Sequence, residues 1–384
     1  YNGIFIDKDY LESRSNEIGK KIDSLQSEIL GLAGEEFNLN SSQQLAVILF
    51  DKLKLPMIKK RSTAEAVLSE LKDKHPLPDL ILSYRKLYKL KNTYLDPLPS
   101  YIIPDTQRVH SSFNQTMTAT GRLSTSSPNF QNIPIRTEDG KEIRKAIKAQ
   151  SNEFQIFSAD YSQVELRVMA HLSGDESLIS ALNNGEDIHT FTAKNIFNID
   201  NDDMVLPEMR RIAKIVNFGI MYGAGPFRLS QELDIPFGEA KQIKDAYFKK
   251  YQGIEKYIEN SKLQIKETKS VATLLGRKRA VWDSDSQNKI RRDAAERMAI
   301  NMPIQGTAAE MIKLAMIKIH RQMNKENLKS KLIMQIHDEL LLEVHQDEID
   351  YISKMVIENM RDAMKLDVPI EINFGVGPSW YEAH

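Results

Sequence analysis

The chain has no cysteine among its 384 residues, which excludes disulfides, thiolate metal sites and cysteine nucleophiles. It also lacks any apolar run near the roughly 18 residues a membrane span requires. No basic-then-apolar leader opens it, and no internal repeat recurs. Net charge is almost absent, at −1, which speaks against an indiscriminate electrostatic grip on nucleic acid. Nor does the chain start with Met: Tyr1 stands first, so a fragment of something longer is expected. What is present is 41% hydrophobic and 27% charged residues, enough for packed interiors under a soluble surface. At this length two or three subdomains are expected rather than one core.

Charge is unevenly spread. Residues 52–91 hold eleven Lys or Arg against four Asp or Glu, and smaller basic knots follow in GRKR (276–279) and KIRR (289–292). Any one of these fits a solvated helix face. Three together on a chain without overall charge suit a groove for a polyanion.

Periodic Leu and Ile with Lys and Glu between them predict helices over residues 7–95, punctuated by HPLP and DPLP. From 100 to 136 the texture turns to Ser, Thr, Asn, Gln and Pro. Recurring Val, Phe, Leu and Ile point there to extended backbone held on a surface. FQIFSADYSQVELRVMAHLSGD then predicts a strand over 154–159, ending at Asp160 and followed by an amphipathic helix. A mainly helical block is expected over 188–318. KLIMQIHDELLLEV reads as strand, a helix follows from 347, and PIEINFGVG closes the chain as a last strand.

In QIHDELLLEVH (335–345) the adjacent Asp338 and Glu339 stand between apolar residues. That costs stability unless a turn exposes them or a cation neutralises them. A hairpin with a solvated Asp-Glu tip is therefore as open as a cation site. If the strands carrying Asp160 and Asp338 are neighbours, the two carboxylates converge. At about 4 Å they repel by roughly 4 kcal/mol at an effective dielectric near 20. A raised pKa or a divalent cation relieves this, and all-oxygen donors favour Mg²⁺ over zinc. Paired hard cations can activate a hydroxyl and stabilise a leaving oxygen at phosphorus. Two unrelated strand-end acids would give the same spacing.

PEMRRIAKIVNFGIMYGAG opens on Pro207, suited to a first helical turn, and ends in glycine. Arg210, Lys214, Phe218 and Tyr222 recur every fourth residue, one slowly turning stripe. Its cations lie toward the N-terminus, where the helix dipole favours anions, and its aromatics lie further along. A polyphosphate on the basic end with a base or sugar on the rings fits this order. An ordinary helix with solvated cations and core aromatics is the plainer alternative.

Taken together, DYSQVELRVMAHLSGD, RRIAKIVNFGIMYG and QIHDELLLE resemble the motifs of family A DNA polymerases, in that family's order and with suitable gaps. Further likeness lies in FNLNSSQQL, YRKLYKLKNTYLDPLP, TATGRLSTSSPNFQNIPIR, DIHTFTA and AERMAINMPIQGTAAEMIK, so it spans nearly the whole chain. The resemblance implies an α+β, right-hand polymerase fold with an antiparallel-sheet palm and mainly helical fingers and thumb. It puts the thumb at 1–110, the palm at 111–185 and 301–384, and the fingers at 186–300. The implied activity is template-directed addition of deoxynucleotides to a primer 3′-hydroxyl by two-metal-ion phosphoryl transfer, in a fragment without a nuclease domain.

Site roles follow from the same resemblance. Asp160 and Asp338 would hold two Mg²⁺ ions, with Mn²⁺ able to substitute and the Tyr161 carbonyl as an added ligand. Glu339 would support them, and Lys214 would protonate the leaving pyrophosphate. Arg210, Lys214 and His189 would meet the triphosphate, with Gln163 also at the nucleotide. Phe218 would pack on the incoming sugar and base and Tyr222 on the templating position. Glu165, bonded to Tyr222, would exclude the ribose 2′-hydroxyl. Arg122, Asn129, Gln131, Asn132, Arg136, Arg297, Asn301, Gln305 and His337 would follow the primer-template, short donors reaching minor-groove acceptors shared by all base pairs. For any one of them, internal turn bonding is the alternative. Primer-template DNA and deoxynucleoside triphosphates are the implied partners, with no membrane, a monomeric state and a bacterial cytoplasmic, nucleoid-associated location. KKRSTAEAVL (59–68) is shorter than the family's usual thumb-tip hairpin. The related single-subunit RNA polymerases lack the Glu165 and Phe218 pair, and a nuclease would have no use for the cation-then-aromatic stripe.

Overall fold

The computed structural model describes residues 2–133 and 138–384. The chain divides into two compact units, Tyr1–Ser112 with Thr125–Ile156 and Val376–His384, and Phe113–Ser124 with Phe157–Gly375.

In the first unit, the helix Lys8–Ala33 begins where the Asp7 side chain accepts the Tyr10 N–H at 2.9 Å. It stops at Gly34, whose φ of +71° lets its N–H reach the Leu30 carbonyl. Leu11, Ile18, Ile22 and Ile29 fall on one buried face, which packs on the helix Pro76–Leu90. There Pro76 takes the first turn and the His75 ring accepts the Leu77 N–H at 3.1 Å. HPLP is thus a helix start. A small antiparallel sheet orders Ile4–Phe5, Arg108–Val109 and Ile102–Ile103. Several cations of the basic stretch are matched locally, Lys52 with Glu35, Arg61 with Asp51 and Lys91 with Asp96. The short KKRSTAEAVL segment carries that Arg61 pair and runs into the helix Glu65–Leu71.

The second unit holds most of a four-stranded sheet ordered Ile372–Gly377, Phe154–Tyr161, Glu339–His345, Lys331–Ile336. The strand expected over 154–159 runs one residue beyond Asp160, to Tyr161. Every residue of Glu339–His345 is buried, so this central strand is covered on both faces. It forms an antiparallel hairpin with Lys331–Ile336, pairing Glu339 with Ile336 and shifting register between Leu341 and Leu342. Helix Ile188–Phe197 packs on Pro207–Met221, and the 37-residue helix Lys289–Lys325, with Pro303 inside it, packs on Gln252–Thr268 and Ile349–Arg361.

The helical block expected over 188–318 is interrupted. Strands Ser270–Ala272 and Lys278–Ala280 pair as a hairpin, and Gly276 at φ +83° lies in the bend between them. GRKR therefore lies on that hairpin rather than on a helix face, and the following helix extends past 318 to Lys325. No helix among the described residues is long and apolar enough to cross a membrane.

Candidate active site

The Tyr161 N–H donates to the Asp338 carbonyl at 3.2 Å, so the end of the strand Phe154–Tyr161 and the backbone of Asp338 are direct neighbours. Asp338 is not within a strand, as its apolar setting had implied. It occupies the hairpin bend with His337, where His337 adopts a left-handed φ of +52° that breaks strand alternation. The Gln335 amide donates to the His337 carbonyl at 2.5 Å and braces the bend. This is no solvated Asp-Glu tip. His337 is exposed and Asp338 half-buried, while Glu339 is 5% exposed and accepts the Ser158 hydroxyl at 2.6 Å.

Burial raises the Asp338 carboxyl above the usual carboxylate range; Glu165 adds to this, while His337 and Arg122 oppose it. An ionised Asp338 therefore calls for nearby positive charge. Among the described residues no group of three or more His, Cys, Asp or Glu is arranged to hold a metal. Asp338, the Tyr161 carbonyl and Asp160, one residue before Tyr161, offer only hard oxygens, the donor type that suits Mg²⁺.

Glu165 lies in the first turn of the helix Val164–Ser173, which opens from Gln163 in a left-handed conformation, φ +51°. It is 8% exposed, and a buried carboxylate needs partners. Tyr222 supplies the expected one, its hydroxyl donating to Oε2 at 2.5 Å. Arg122 supplies another: its Nη2 pairs with Oε1. Expected on DNA, Arg122 is thus engaged by Glu165. Burial and the neighbouring Glu165 push the Tyr222 phenol well above its ordinary pKa, and the Gln305 side chain bonds the same hydroxyl.

Along the Pro207–Met221 helix, Phe218 stacks on Tyr222 with centroids 6.3 Å apart at 23°. His189 lies tilted 5.7 Å from Phe218. Lys214 is exposed. Arg210 is held in a bidentate pair by Asp187, at 3.0 and 2.7 Å. Asp187 also caps the helix Ile188–Phe197 through the Thr190 N–H at 2.7 Å. Burial alone would raise its carboxyl, but the bonds from Arg210 and Thr190 outweigh it and hold the pKa at about 2.

His189 is 3% exposed. Burial pushes its pKa down to about 4, with Arg210 and Lys214 adding to the effect and Asp187 opposing it. The ring is therefore neutral at pH 7. The Asn217 amide lies 3.1 Å from Nδ1; as Asn217 can only donate there, the ring proton sits on Nε2. Asn217 in turn joins Thr192, which meets the Tyr251 hydroxyl at 2.8 Å. Asp187, Asn217 and Thr192 were missed in the sequence. The only signal was the cap pattern of Asp187 three residues before Thr190.

The remaining predicted residues divide between the units. In the first, Asn129 turns inward: Oδ1 accepts the Gln131 N–H at 3.0 Å and the Thr125 hydroxyl at 3.1 Å. This is the turn bonding that was the alternative for it. The Asn132 carbonyl accepts from the Tyr94 hydroxyl, leaving its side chain exposed, and Gln131 is half-buried. Arg136 lies outside the described residues. In the second unit, Arg297 packs on Gly223, where a Cβ would lie 2.9 Å from its Cγ. It lines a cavity of about 320 Å³ with Ile220, Lys244 and Glu296. The Oδ1 of Asn301 is buried with no hydrogen-bond partner among the described residues.

An antiparallel sheet carrying two aspartates, linked through Glu165 to a helix striped with Arg210, Lys214, Phe218 and Tyr222, defines the right-hand polymerase class of fold. The solved polymerase domain of Pol1 from M. smegmatis, in complex with DNA primer-template and dNTP, matches it. Its TM-score is 0.95 at 40% identity, over 100% of this chain and 68% of that one. The chain belongs to DNA polymerase family A, whose family model covers residues 8–382. It is 46% identical to DNA polymerase I of Bacillus subtilis over 99% of its length, and 48% identical to the thermostable DNA polymerase I of Thermus filiformis over the same share. It spans 44% and 46% of those two relatives, less than half of each.

Proposed function

We propose that this chain is the polymerase region of a DNA polymerase I, adding deoxynucleotides to a primer 3′-hydroxyl as directed by a template and releasing pyrophosphate. The observation that carries the reading is the hydrogen-bonded junction of Tyr161 with Asp338, beside Glu165 and the end of the Arg210 to Tyr222 stripe. The partners are primer-template DNA and deoxynucleoside triphosphates, as in the solved M. smegmatis complex. In this reading residues 1–110 are the thumb, 111–185 and 301–384 the palm, and 186–300 the fingers.

Asp160, Asp338 and the Tyr161 carbonyl would hold two Mg²⁺ ions. The chemistry supplied by that pair when bound is a lowered pKa at the 3′-hydroxyl and charge relief at the leaving oxygen. Glu339, fixed by Ser158, sets a further carboxyl group next to Asp338 in the chain. Arg210 and Lys214 meet the triphosphate as cations, and neutral His189 offers its Nε2 proton. Lys214 delivers a proton to pyrophosphate as it departs. The stacked Phe218 and Tyr222 give the base and sugar an apolar wall, with Gln163 at the mouth of the same site. Glu165, held by Arg122 and Tyr222, fills the volume a ribose 2′-hydroxyl would need. Gln305, Arg297, Asn301 and His337 contact DNA in this reading, and Gln131, Asn132 and Arg136 are further DNA contacts.

The test is extension of a primed template with Mg²⁺ and four deoxynucleotides, beside Asp160→Ala and Asp338→Ala. Extension by the parent and its loss in both variants is expected. Full extension by either variant overturns the assignment of that acid. Degradation of DNA without nucleotides would make the protein a nuclease instead.

A further inference from the structure

Arg122 reaches Glu165 from a tight turn at 118–122. The turn is closed on itself, the Thr118 hydroxyl donating to the Arg122 carbonyl at 2.5 Å and the Gly121 N–H to the Thr118 carbonyl at 3.2 Å. Two charged side chains with no part in the chemistry above hold it from outside, and a third holds one of them. Lys313 donates its ammonium to the Gly121 carbonyl. Arg277 lies against Gly121, so near that a Cβ there would sit 2.8 Å from its Nε. Gly121 also has φ +79°, so both sterics and backbone require glycine. Glu310, 7% exposed, accepts from Arg277 Nε at 3.3 Å and from the Thr273 hydroxyl at 2.9 Å.

These contacts share one face of the long helix. Gly306, Glu310 and Lys313 follow at steps of four and three, which stack side chains in one row. At Gly306 a Cβ would lie 2.5 Å from Thr273 Cγ2 and 3.2 Å from the Thr120 carbonyl, so the turn and the hairpin both seat directly on helix backbone. Glu310 is the buried anion between two cations. Without its charge, Arg277 and Lys313 repel each other across Gly121, and Arg277 loses the carboxylate that orients its guanidinium. A long side chain such as Arg122 keeps one geometry only if its own backbone is fixed.

We infer that Glu310, Arg277 and Lys313 are positioning residues that clamp the turn at 118–122, aim Arg122 at Glu165 and thereby set discrimination between deoxyribose and ribose. The inference rests on the proposed reading of Glu165 as the group that excludes the 2′-hydroxyl. Glu310 and Lys313 touch neither nucleotide nor duplex in that reading; they act through Arg122.

The experiment compares the parent with Glu310→Gln, Lys313→Met and Lys313→Arg. One readout is the ratio of kcat/KM for inserting a deoxynucleotide and the matching ribonucleotide. The other is hydrogen–deuterium exchange of residues 117–123. In Glu310→Gln and Lys313→Met the ratio should fall about three- to tenfold and exchange should quicken. Lys313→Arg, which keeps a cationic donor, should restore both. Parent-like ratio and exchange in both disrupted variants overturn the clamp. A Glu165→Ala control separates the two ideas: if it leaves the ratio unchanged, the reading of Glu165 fails. Exchange alone then decides the clamp, and parent-like exchange overturns it. Glu310→Gln keeps side-chain volume, so it carries the test should Lys313→Met lose the fold.

Discussion

Replacing His189 with Gln should remove an acid-side loss of stability expected of the parent chain. The ring is 3% exposed and its pKa lies at about 4, against an ordinary 6.5. The folded chain therefore binds fewer protons at this residue than the unfolded chain between those values. Stability rises with pH across that window and is lost as pH falls from about 6.5 toward about 4. The gap corresponds to about 3 kcal/mol over the whole window and to about 2 kcal/mol between pH 7 and pH 5. Urea unfolding of parent and His189→Gln at pH 7 and pH 5 measures it. Gln can keep a hydrogen bond to Asn217, yet has nothing to titrate. Any uniform loss from altered packing appears at both pH values and cancels. The stability advantage of the parent over the variant should shrink by about 2 kcal/mol on going to pH 5. An advantage that is the same at both pH values refutes the account of a neutral, buried His189.

Glu165→Ala should raise ribonucleotide insertion strongly. Tyr222→Phe, which removes only the hydroxyl bonded to Glu165, should raise it by about tenfold or less, the worth of one charged hydrogen bond in a half-buried setting. Single-nucleotide insertion kinetics with both sugars decide this, and an unchanged ratio in both variants refutes it. At Gly253 a Cβ would lie 2.7 Å from the Asp175 Cα, a backbone atom that cannot step aside, and the Gly253 N–H donates to the Asp175 carboxylate at 2.8 Å. Gly253→Ala should therefore destabilise by about 2 kcal/mol or more; an unchanged melting temperature refutes it.

Much of this was legible in the sequence because it is local. Pro207 and the glycines bracket a helix whose fourfold spacing puts Arg210, Lys214, Phe218 and Tyr222 on one stripe. The apolar run before Asp160 is a central strand. What escaped depends on partners far along the chain. Arg122 and Glu165 are 43 residues apart, and Arg210 and Asp187 are 23 apart. No periodicity links such pairs, so the sequence alone gives neither the Arg122–Glu165 pair nor the Asp187 partner of Arg210. The hairpin at 270–280 escaped for another reason: strands of three residues are too short to show alternation against their helical surroundings. Asn129 shows the limit of residue-type reasoning. An Asn in a polar stretch can serve a groove or its own turn, and only its neighbours Thr125 and Gln131 decide.

The bend that carries Asp338 has a consequence for how this chain can change over time or by design. It joins two strands with only His337 and Asp338 to spare, and the strand pairing resumes at once with Glu339 opposite Ile336. Side chains along a strand point alternately to opposite faces. Lengthening or shortening this corner by one position would swing the acid away from Tyr161 and force Glu339 off Ser158, or else slide the whole ribbon by half a pleat. Spacing here is thus as strictly constrained as chemistry, and a loop graft that surface corners elsewhere would tolerate should silence the protein without altering a single carboxylate.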